Sequence, residues 1–118
     1  MTLKAGMTIL IVDDNRSMRR ILARAIEKSA AQIWECADGA AALAAYIDHS
    51  PSVVLMDLQM PGLDGLAATK QIVGFDAAAR VVIVTDFDDD ELRAAAREAG
   101  ASGYVLKQDL TALDALLA

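Results

Sequence analysis

The chain is poor in cysteine, proline, positive charge and long apolar runs, and each shortage closes off a class of protein. A single cysteine, Cys36, cannot form an internal disulfide, which fits a reducing compartment and predicts a cytoplasmic protein. Two prolines in 118 residues, with 55% of the chain hydrophobic, exclude collagen-like and disordered classes. No apolar stretch approaches the roughly 20 residues needed to cross a bilayer, so no membrane segment is expected. Met1-Thr2-Leu3-Lys4-Ala5-Gly6 has neither the apolar core nor the cleavage site of a signal peptide. Lys and Arg number 11 against 17 Asp and Glu, a formal net charge of -6 that argues against non-specific binding to nucleic acid or membrane. Any action on DNA would run through something outside these residues. With no internal repeat, linker or low-complexity segment, the length suits one domain over 1–118 with a substantial core.

What is present is an alternation of strand-like and helix-like segments. Four short apolar runs each stop on a polar residue: Ile9-Leu10-Ile11-Val12 on Asp13-Asp14, Val53-Val54-Leu55-Met56 on Asp57, Val81-Val82-Ile83-Val84 on Thr85, and Tyr104-Val105-Leu106 on Lys107. Ile33-Trp34-Glu35-Cys36 reads as a fifth, less apolar strand nearer an edge. Between them, Asn15 can cap a helix with Met18, Ile21, Leu22, Ala25 and Ile26 on one face. Asp38 can cap a second helix with Ala40, Leu43, Ala44 and Ile47 inward, ended by Pro51. Asp64 opens a third, with Leu66, Thr69 and Val73 inward. A fourth runs from about Asp88 to Ala99 with Leu92, Ala95, Ala96 and Ala99 on one side, and Gly100 suits the left-handed position past its end. A short last helix starts near Asp109, faces Leu110, Leu113 and Leu117 inward, and stops at Ala118. Five such βα units predict an α/β fold, a right-handed, doubly wound parallel sheet with five helices.

In such a sheet ligands bind at the carboxyl ends of the strands, where the strand order reverses. The polar residues at the four run ends would then converge on one crevice suited to a divalent metal and a phosphoryl group. A hard cation such as Mg²⁺ takes carboxylate and carbonyl oxygens and keeps several waters, so Asp13 or Asp14, Asp57 and one backbone carbonyl would serve it. An aspartate can itself be the nucleophile that forms an aspartyl phosphate. Thr85 could donate to one phosphate oxygen and Lys107 neutralise another. Phosphoryl transfer needs mainly positioning and charge neutralisation, so this short set could suffice.

Asp13-Asp14, Asp57 within Met56-Asp57-Leu58-Gln59-Met60-Pro61-Gly62-Leu63-Asp64-Gly65, Thr85, and Gly103-Tyr104-Val105-Leu106-Lys107 together resemble the response-regulator receiver domains of bacterial two-component signalling. The resemblance, to the chemotaxis-regulator type in particular, covers essentially the whole chain. It implies a flavodoxin-like sheet of order 2-1-3-4-5. It also implies that Asp57 accepts a phosphoryl group from a histidine kinase or phosphotransfer protein. Asp14 and Asp57, with Asp13 through water and the Gln59 backbone carbonyl, would hold Mg²⁺ or Mn²⁺. Thr85 and Tyr104 would form a switch pair that alters the face of the fourth helix, fifth strand and fifth helix, and so controls an output domain, an effector protein or homodimer formation.

Two positions depart from the family's common pattern. Gln108 follows Lys107 where proline in a cis bond is usual, and a non-proline cis peptide costs about 2.5–4 kcal/mol. Asp86 follows Thr85 where a small residue is usual, and its carboxylate could repel or obstruct a phosphoryl donor. Gln59 and Phe87 flank the site where they could gate attacking water. The Gly100-Ala101-Ser102-Gly103-Tyr104 run with a non-proline after the lysine resembles the branch often joined to helix-turn-helix output domains.

Each residue also has an ordinary explanation. An acidic pair after a strand commonly makes a turn and helix cap, Thr85 could merely cap a strand, and Lys107 could be a solvated charge. Tyr104 could simply be core, while Arg16, Arg19, Arg20 and Arg24 read as a solvated helix face. Asp88-Asp89-Asp90-Glu91 lacks the glycine and alternating oxygens of a calcium loop and fits an acidic helix start. Asp48-His49-Ser50 cannot form a triad because adjacent residues do not face one another. Two rival functions remain. One is an aspartyl-phosphate enzyme like the haloacid dehalogenases, disfavoured because the residue two past Asp57 is Gln59 rather than an acid. The other is a phosphate-independent interaction module, disfavoured by the intact set of Asp14, Asp57, Thr85 and Lys107.

Overall fold

The computed structural model describes residues 6–117. The amino-terminal stretch read above for signal-peptide features and the stop at Ala118 lie outside the described residues, apart from Gly6. Along the chain come β1 (Met7–Val12), α1 (Arg16–Ile26), β2 (Ala30–Cys36), α2 (Ala42–His49), β3 (Val53–Met56), α3 (Gly65–Phe75), β4 (Val81–Thr85), α4 (Asp90–Ala99), β5 (Gly103–Leu106) and α5 (Ala112–Leu117). The five strands form one sheet of order β2-β1-β3-β4-β5 in which every neighbouring pair is parallel. This is the expected flavodoxin-like order. Parallel neighbours cannot be joined by hairpins, so a helix crosses over between each pair and both faces of the sheet are covered.

That covering explains why the central strands are apolar without alternation. Ile9, Ile11, Val53, Leu55, Val82 and Val84 pack on one face, with Leu22 and Ile26 of α1 and Leu113 and Leu117 of α5. Leu10, Val12, Val54, Met56 and Ile83 pack on the other, with Tyr46 of α2, Ile72 of α3 and Ala96 of α4. β2, at the edge, has only Cys36 buried, in keeping with its more polar sequence. It starts earlier than its apolar run implies, at Ala30, because pairing with β1 carries the strand back through Ala31 and Gln32.

The caps expected at α1 and α3 form, the one expected at α2 does not, and α4 is capped by Asp89, for which no such role was expected. Asn15 accepts from the Met18 N–H at 2.9 Å, Asp64 from Ala67 at 2.9 Å and Asp89 from Leu92 at 3.0 Å. Asp38 instead accepts from Ala41, in a turn that precedes α2, and the helix itself begins at Ala42 without a side-chain cap. α4 begins at Asp90, and α5 at Ala112 after a turn over Asp109. Gly100 has φ 104 and closes α4 in the left-handed position only glycine adopts freely.

Two inner faces differ from the expected ones. On α1, Ile21 is 51% exposed and Ala25 is exposed, while Leu22 and Ile26 are buried with Met18 and Ala23 beside them. On α2 the buried residues are Ala42 and Tyr46, with Leu43 and Ala45 beside them; Ala40, Ala44 and Ile47 face outward. An alanine-rich helix offers several nearly equal apolar stripes, and Tyr46 decides among them. Its ring fills the core and its hydroxyl donates to Asp76 Oδ2 at 2.6 Å. On α3 the expected face holds: Thr69 is buried with Ala68 and Ile72, its hydroxyl donating to the Gly65 carbonyl, and Leu66 and Val73 pack half-buried against the core.

The α2 assignment is testable by truncation. Tyr46→Ala should cost about 3 kcal/mol or more of unfolding free energy, as for other buried aromatics. Ile47→Ala, at a 46% exposed position, should stay within about 0.5 kcal/mol. Urea melts of the two variants check this, and equal losses would contradict the face described.

Candidate functional site

The strand order reverses at β1, between β2 and β3, and the residues just past the strand ends are held by the sheet's own hydrogen bonding. The Asp13 N–H donates to the Cys36 carbonyl at 3.1 Å, and the Asp57 N–H to Val12 at 2.9 Å. The Lys107 N–H donates to the Thr85 carbonyl at 2.8 Å. Each ladder thus runs one residue beyond its strand, and the polar residue there is fixed by its backbone before its side chain makes any contact.

Those side chains meet. Lys107 Nζ lies 3.2 Å from Asp13 Oδ2 and 3.3 Å from Asp57 Oδ1. Asp13 is fully buried and Asp57 nearly so, while Asp14 is exposed at the rim. Oxygens of the three carboxylates lie within 4.8 Å of one another. Asp13 Oδ1 accepts from the Asn15 N–H at 2.8 Å, but Asp13 Oδ2 has no aligned hydrogen bond. The ammonium at 3.2 Å from Oδ2 is therefore a charge contact with poor directionality, and a buried carboxylate oxygen is left without a proper donor. Three clustered carboxylates with one such oxygen fit a small, hard divalent cation. Among the described residues this is the one cluster of three or more acids that could hold a metal.

The electrostatics are correspondingly tense. Burial, reinforced by the negative charge of Asp13, pushes the Asp57 carboxyl up to about 6 against the pull of Lys107. Burial also works against the charge on Lys107, but Asp57 and Asp13 outweigh it and hold the ammonium above its ordinary range. No peptide bond among the described residues is cis, so Lys107–Gln108 is trans and the lysine still reaches both acids.

Gly65 has a role that its place in the motif did not suggest. A Cβ there would collide with the carbonyl oxygen of Asp57, so only glycine lets the start of α3 close over the end of β3. The signal available was a glycine at the first position of a helix, where it is otherwise unhelpful.

A second group surrounds Thr85, whose buried hydroxyl accepts from the Phe87 N–H at 3.3 Å. The Tyr104 hydroxyl donates to the Phe87 carbonyl at 2.7 Å. The Arg93 guanidinium sits 4.5 Å from the Tyr104 ring centroid and pairs with Asp88 at 3.1 Å. Thr85, Phe87 and Tyr104 are therefore linked in one chain of contacts. Asp86 and Gln59 are exposed beside the site rather than joined to the cluster. A cavity of about 530 Å³ is lined by Gln59, Met60, Pro61, Leu66 and Leu92 and by none of the three clustered acids. Elsewhere the ordinary readings hold: Asp89 caps α4, and His49 stacks on Trp34 at 4.4 Å between centroids. Cys36 donates to the Asp38 carbonyl, with burial raising its thiol pKa.

Residues 9–118 match the family model for the response regulator receiver domain. The chain belongs to the response regulator receiver domain family. It is 36% identical over 110 residues to the chemotaxis protein CheY of Halobacterium salinarum, covering 92% of each chain. It is 38% identical over 101 residues to the transcriptional regulatory protein LiaR of Bacillus subtilis, covering 84% of this chain but 48% of that protein. The crystal structure of a LuxR-family two-component response regulator from Aurantimonas superposes with a TM-score of 0.87 at 37% identity, covering 96% of this chain and 86% of that one. The receiver thus spans nearly all of one relative and about half of another. No helix among its described residues is long and apolar enough to cross a membrane.

The raised pKa of Asp57 has a consequence for stability. A carboxyl that titrates near 6 folded and near 3.8 unfolded contributes stability in full below 3.8 and loses it as pH rises through about 6. Asp57→Asn removes that loss. In EDTA the variant should match wild type near pH 3.5 and exceed it by about 2 kcal/mol above pH 7, less what Lys107 forfeits. Urea melts across pH check this; a variant less stable than wild type at pH 7 would contradict the strain assigned to Asp57.

Proposed function

We propose that this receiver is a phosphoacceptor switch in which Asp57 is phosphorylated by a histidine kinase or phosphotransfer protein in a reaction that needs Mg²⁺ or Mn²⁺. The observation that supports it is the cluster at the switch point, where Asp57 lies beside Asp13 and Asp14 and shares the Lys107 ammonium with Asp13. A carboxylate oxygen of Asp57 attacks phosphorus, the bond from phosphorus to the donor breaks, and the donor leaves with the electron pair. Asp14 and Asp57, with Asp13 through water and the Gln59 backbone carbonyl, would hold the cation, which when bound would supply positive charge to the phosphoryl oxygens. Lys107 neutralises a further oxygen and the Thr85 hydroxyl donates to another. The same groups promote later attack by water, so the chain assists its own phosphorylation and dephosphorylation while acting as a regulator.

The switch runs through the contacts around Thr85. A hydroxyl drawn toward the phosphoryl group gives up the Phe87 N–H, and Phe87 is in turn the partner of Tyr104. Repacking of Tyr104 then alters the surface of α4, β5 and α5, and a phosphorylated population presents that surface to an output domain, an effector protein or a second copy. Such a domain, covering 1–118, would work in the cytoplasm with no direct contact to nucleic acid or membrane. The aspartyl-phosphate enzyme reading is weaker, since the position two past Asp57 carries Gln59, which cannot act as an acid.

Incubation with acetyl phosphate and Mg²⁺ followed by intact mass measurement tests the proposal. One added phosphoryl group is expected, lost with EDTA and in Asp57→Asn. Absence of any addition, with titration showing no Mg²⁺ binding, would instead favour the phosphate-independent module. Asp86 is exposed beside the site, and removing its negative charge should speed the reaction with the anionic donor several-fold. Stopped-flow rates for Asp86→Ala that equal or fall below wild type would remove that role.

A further inference from the structure

Of the four arginines on α1, three are exposed, while the side chain of Arg19 is only 15% exposed. It lies on the helix's inner stripe, one turn before Leu22 and Ala23 and two before Ile26. A buried guanidinium needs partners, and Arg19 has two of different kinds. Its Nε donates to Glu35 Oε1 of β2 at 2.9 Å, and its Nη1 donates to the backbone carbonyl of Asp13 at 2.8 Å. The second bond is the informative one, because that carbonyl belongs to the peptide that joins Asp13 to Asp14.

The two acids are held very differently. Asp13 is fixed by its N–H to Cys36 and by the Asn15 N–H on its Oδ1. Asp14 is exposed, and among the described residues no hydrogen bond or ion pair fixes its side chain. Its direction depends on the plane of the peptide before it, and Arg19 grips that plane. Glu35 holds the guanidinium through Nε, so the fork is fixed at two points, the Glu35 carboxylate and the carbonyl itself. We propose that Arg19 is a positioning residue for the metal site: it sets the Asp13–Asp14 peptide so that the Asp14 carboxylate points at the cation shared with Asp57. This rests on the metal-dependent reading of the site given above.

The sign of the effect separates positioning from simpler roles. A guanidinium close to a cation site repels the cation, so if charge alone mattered, neutralising Arg19 would tighten Mg²⁺ binding. A staple that only joined α1 to β2 would change the stability of the metal-free protein and leave affinity where it was. Positioning predicts weaker binding. Groups that orient metal ligands commonly change metal affinity by about 10–100-fold when altered.

The test is calorimetric titration of Mg²⁺ into the full chain, wild type beside Arg19→Gln, Arg19→Lys, Glu35→Gln and Arg20→Gln, with urea melts in EDTA for each. Arg19→Gln and Arg19→Lys should both bind Mg²⁺ roughly tenfold or more weakly, since a lysine keeps the charge but cannot hold the carbonyl and Glu35 together. Glu35→Gln, which leaves the bond to the carbonyl in place, should lose less. Arg20→Gln, on the exposed face, should match wild type. Unchanged or tighter Mg²⁺ binding in folded Arg19→Gln or Arg19→Lys overturns the proposal, whatever happens to their stability. Should Arg19→Gln fail to fold, Arg19→Lys and Glu35→Gln decide it in the same way. A wild type that binds no Mg²⁺ removes the metal-dependent reading and this inference with it. Wild-type binding with unaffected variants removes the inference alone.

Discussion

The site depends on one electrostatic constraint, which is that two buried carboxylates share a single ammonium. Asp13 and Asp57 both reach Lys107, and neither is fully compensated by it. In a low-dielectric setting two negative charges against one positive leave a net deficit. The raised pKa of Asp57 and the unaligned oxygen of Asp13 are two expressions of that deficit. Burial that costs stability persists where something else recompenses it, and here positive charge brought by a cation would do so. The parallel sheet makes the arrangement possible because its ladders carry Asp13, Asp57 and Lys107 one step past the strands before the side chains have to agree.

Around this cluster the molecule is layered in a way that separates its tasks. α1 and α5 cover one face of the sheet and α2, α3 and α4 the other. The acids hang from the β1–α1 and β3–α3 connections, at the reversal of strand order. The Thr85, Phe87 and Tyr104 contacts hang from β4, its following loop and β5. The acids are therefore gathered at the middle of the sheet, and the Thr85, Phe87 and Tyr104 contacts lie toward the β5 edge.

Much of this was legible in the amino-acid order. Runs such as Val53-Val54-Leu55-Met56 mark buried parallel strands, and the polar residue ending each run marks the crevice. What was not legible follows from side chains whose preferences conflict. Ala40, Ala44 and Ile47 made as plausible an inner stripe for α2 as the true one, until the ring of Tyr46 found its cavity and its hydroxyl found Asp76. Ile21 looked like a core residue on α1, yet the helix turns Arg19 inward instead, and a charged residue among apolar neighbours carries no periodic signal. Gly65 was visible but mute, since the collision it avoids involves a backbone distant in space rather than in sequence. Asp38 carries the right chemistry for a cap and uses it one turn too early, where local spacing alone cannot separate a turn from a helix start.

The way the strand ends hold Asp13, Asp57 and Lys107 also bears on how such a protein could drift. Each is anchored by its main chain, and an amide N–H is the same whatever side chain it carries. Substitution could therefore remove whatever chemistry these side chains support while the anchors, the sheet and the outline all survived. Within this lineage shape would record ancestry, and the side chains past the strand ends would record employment.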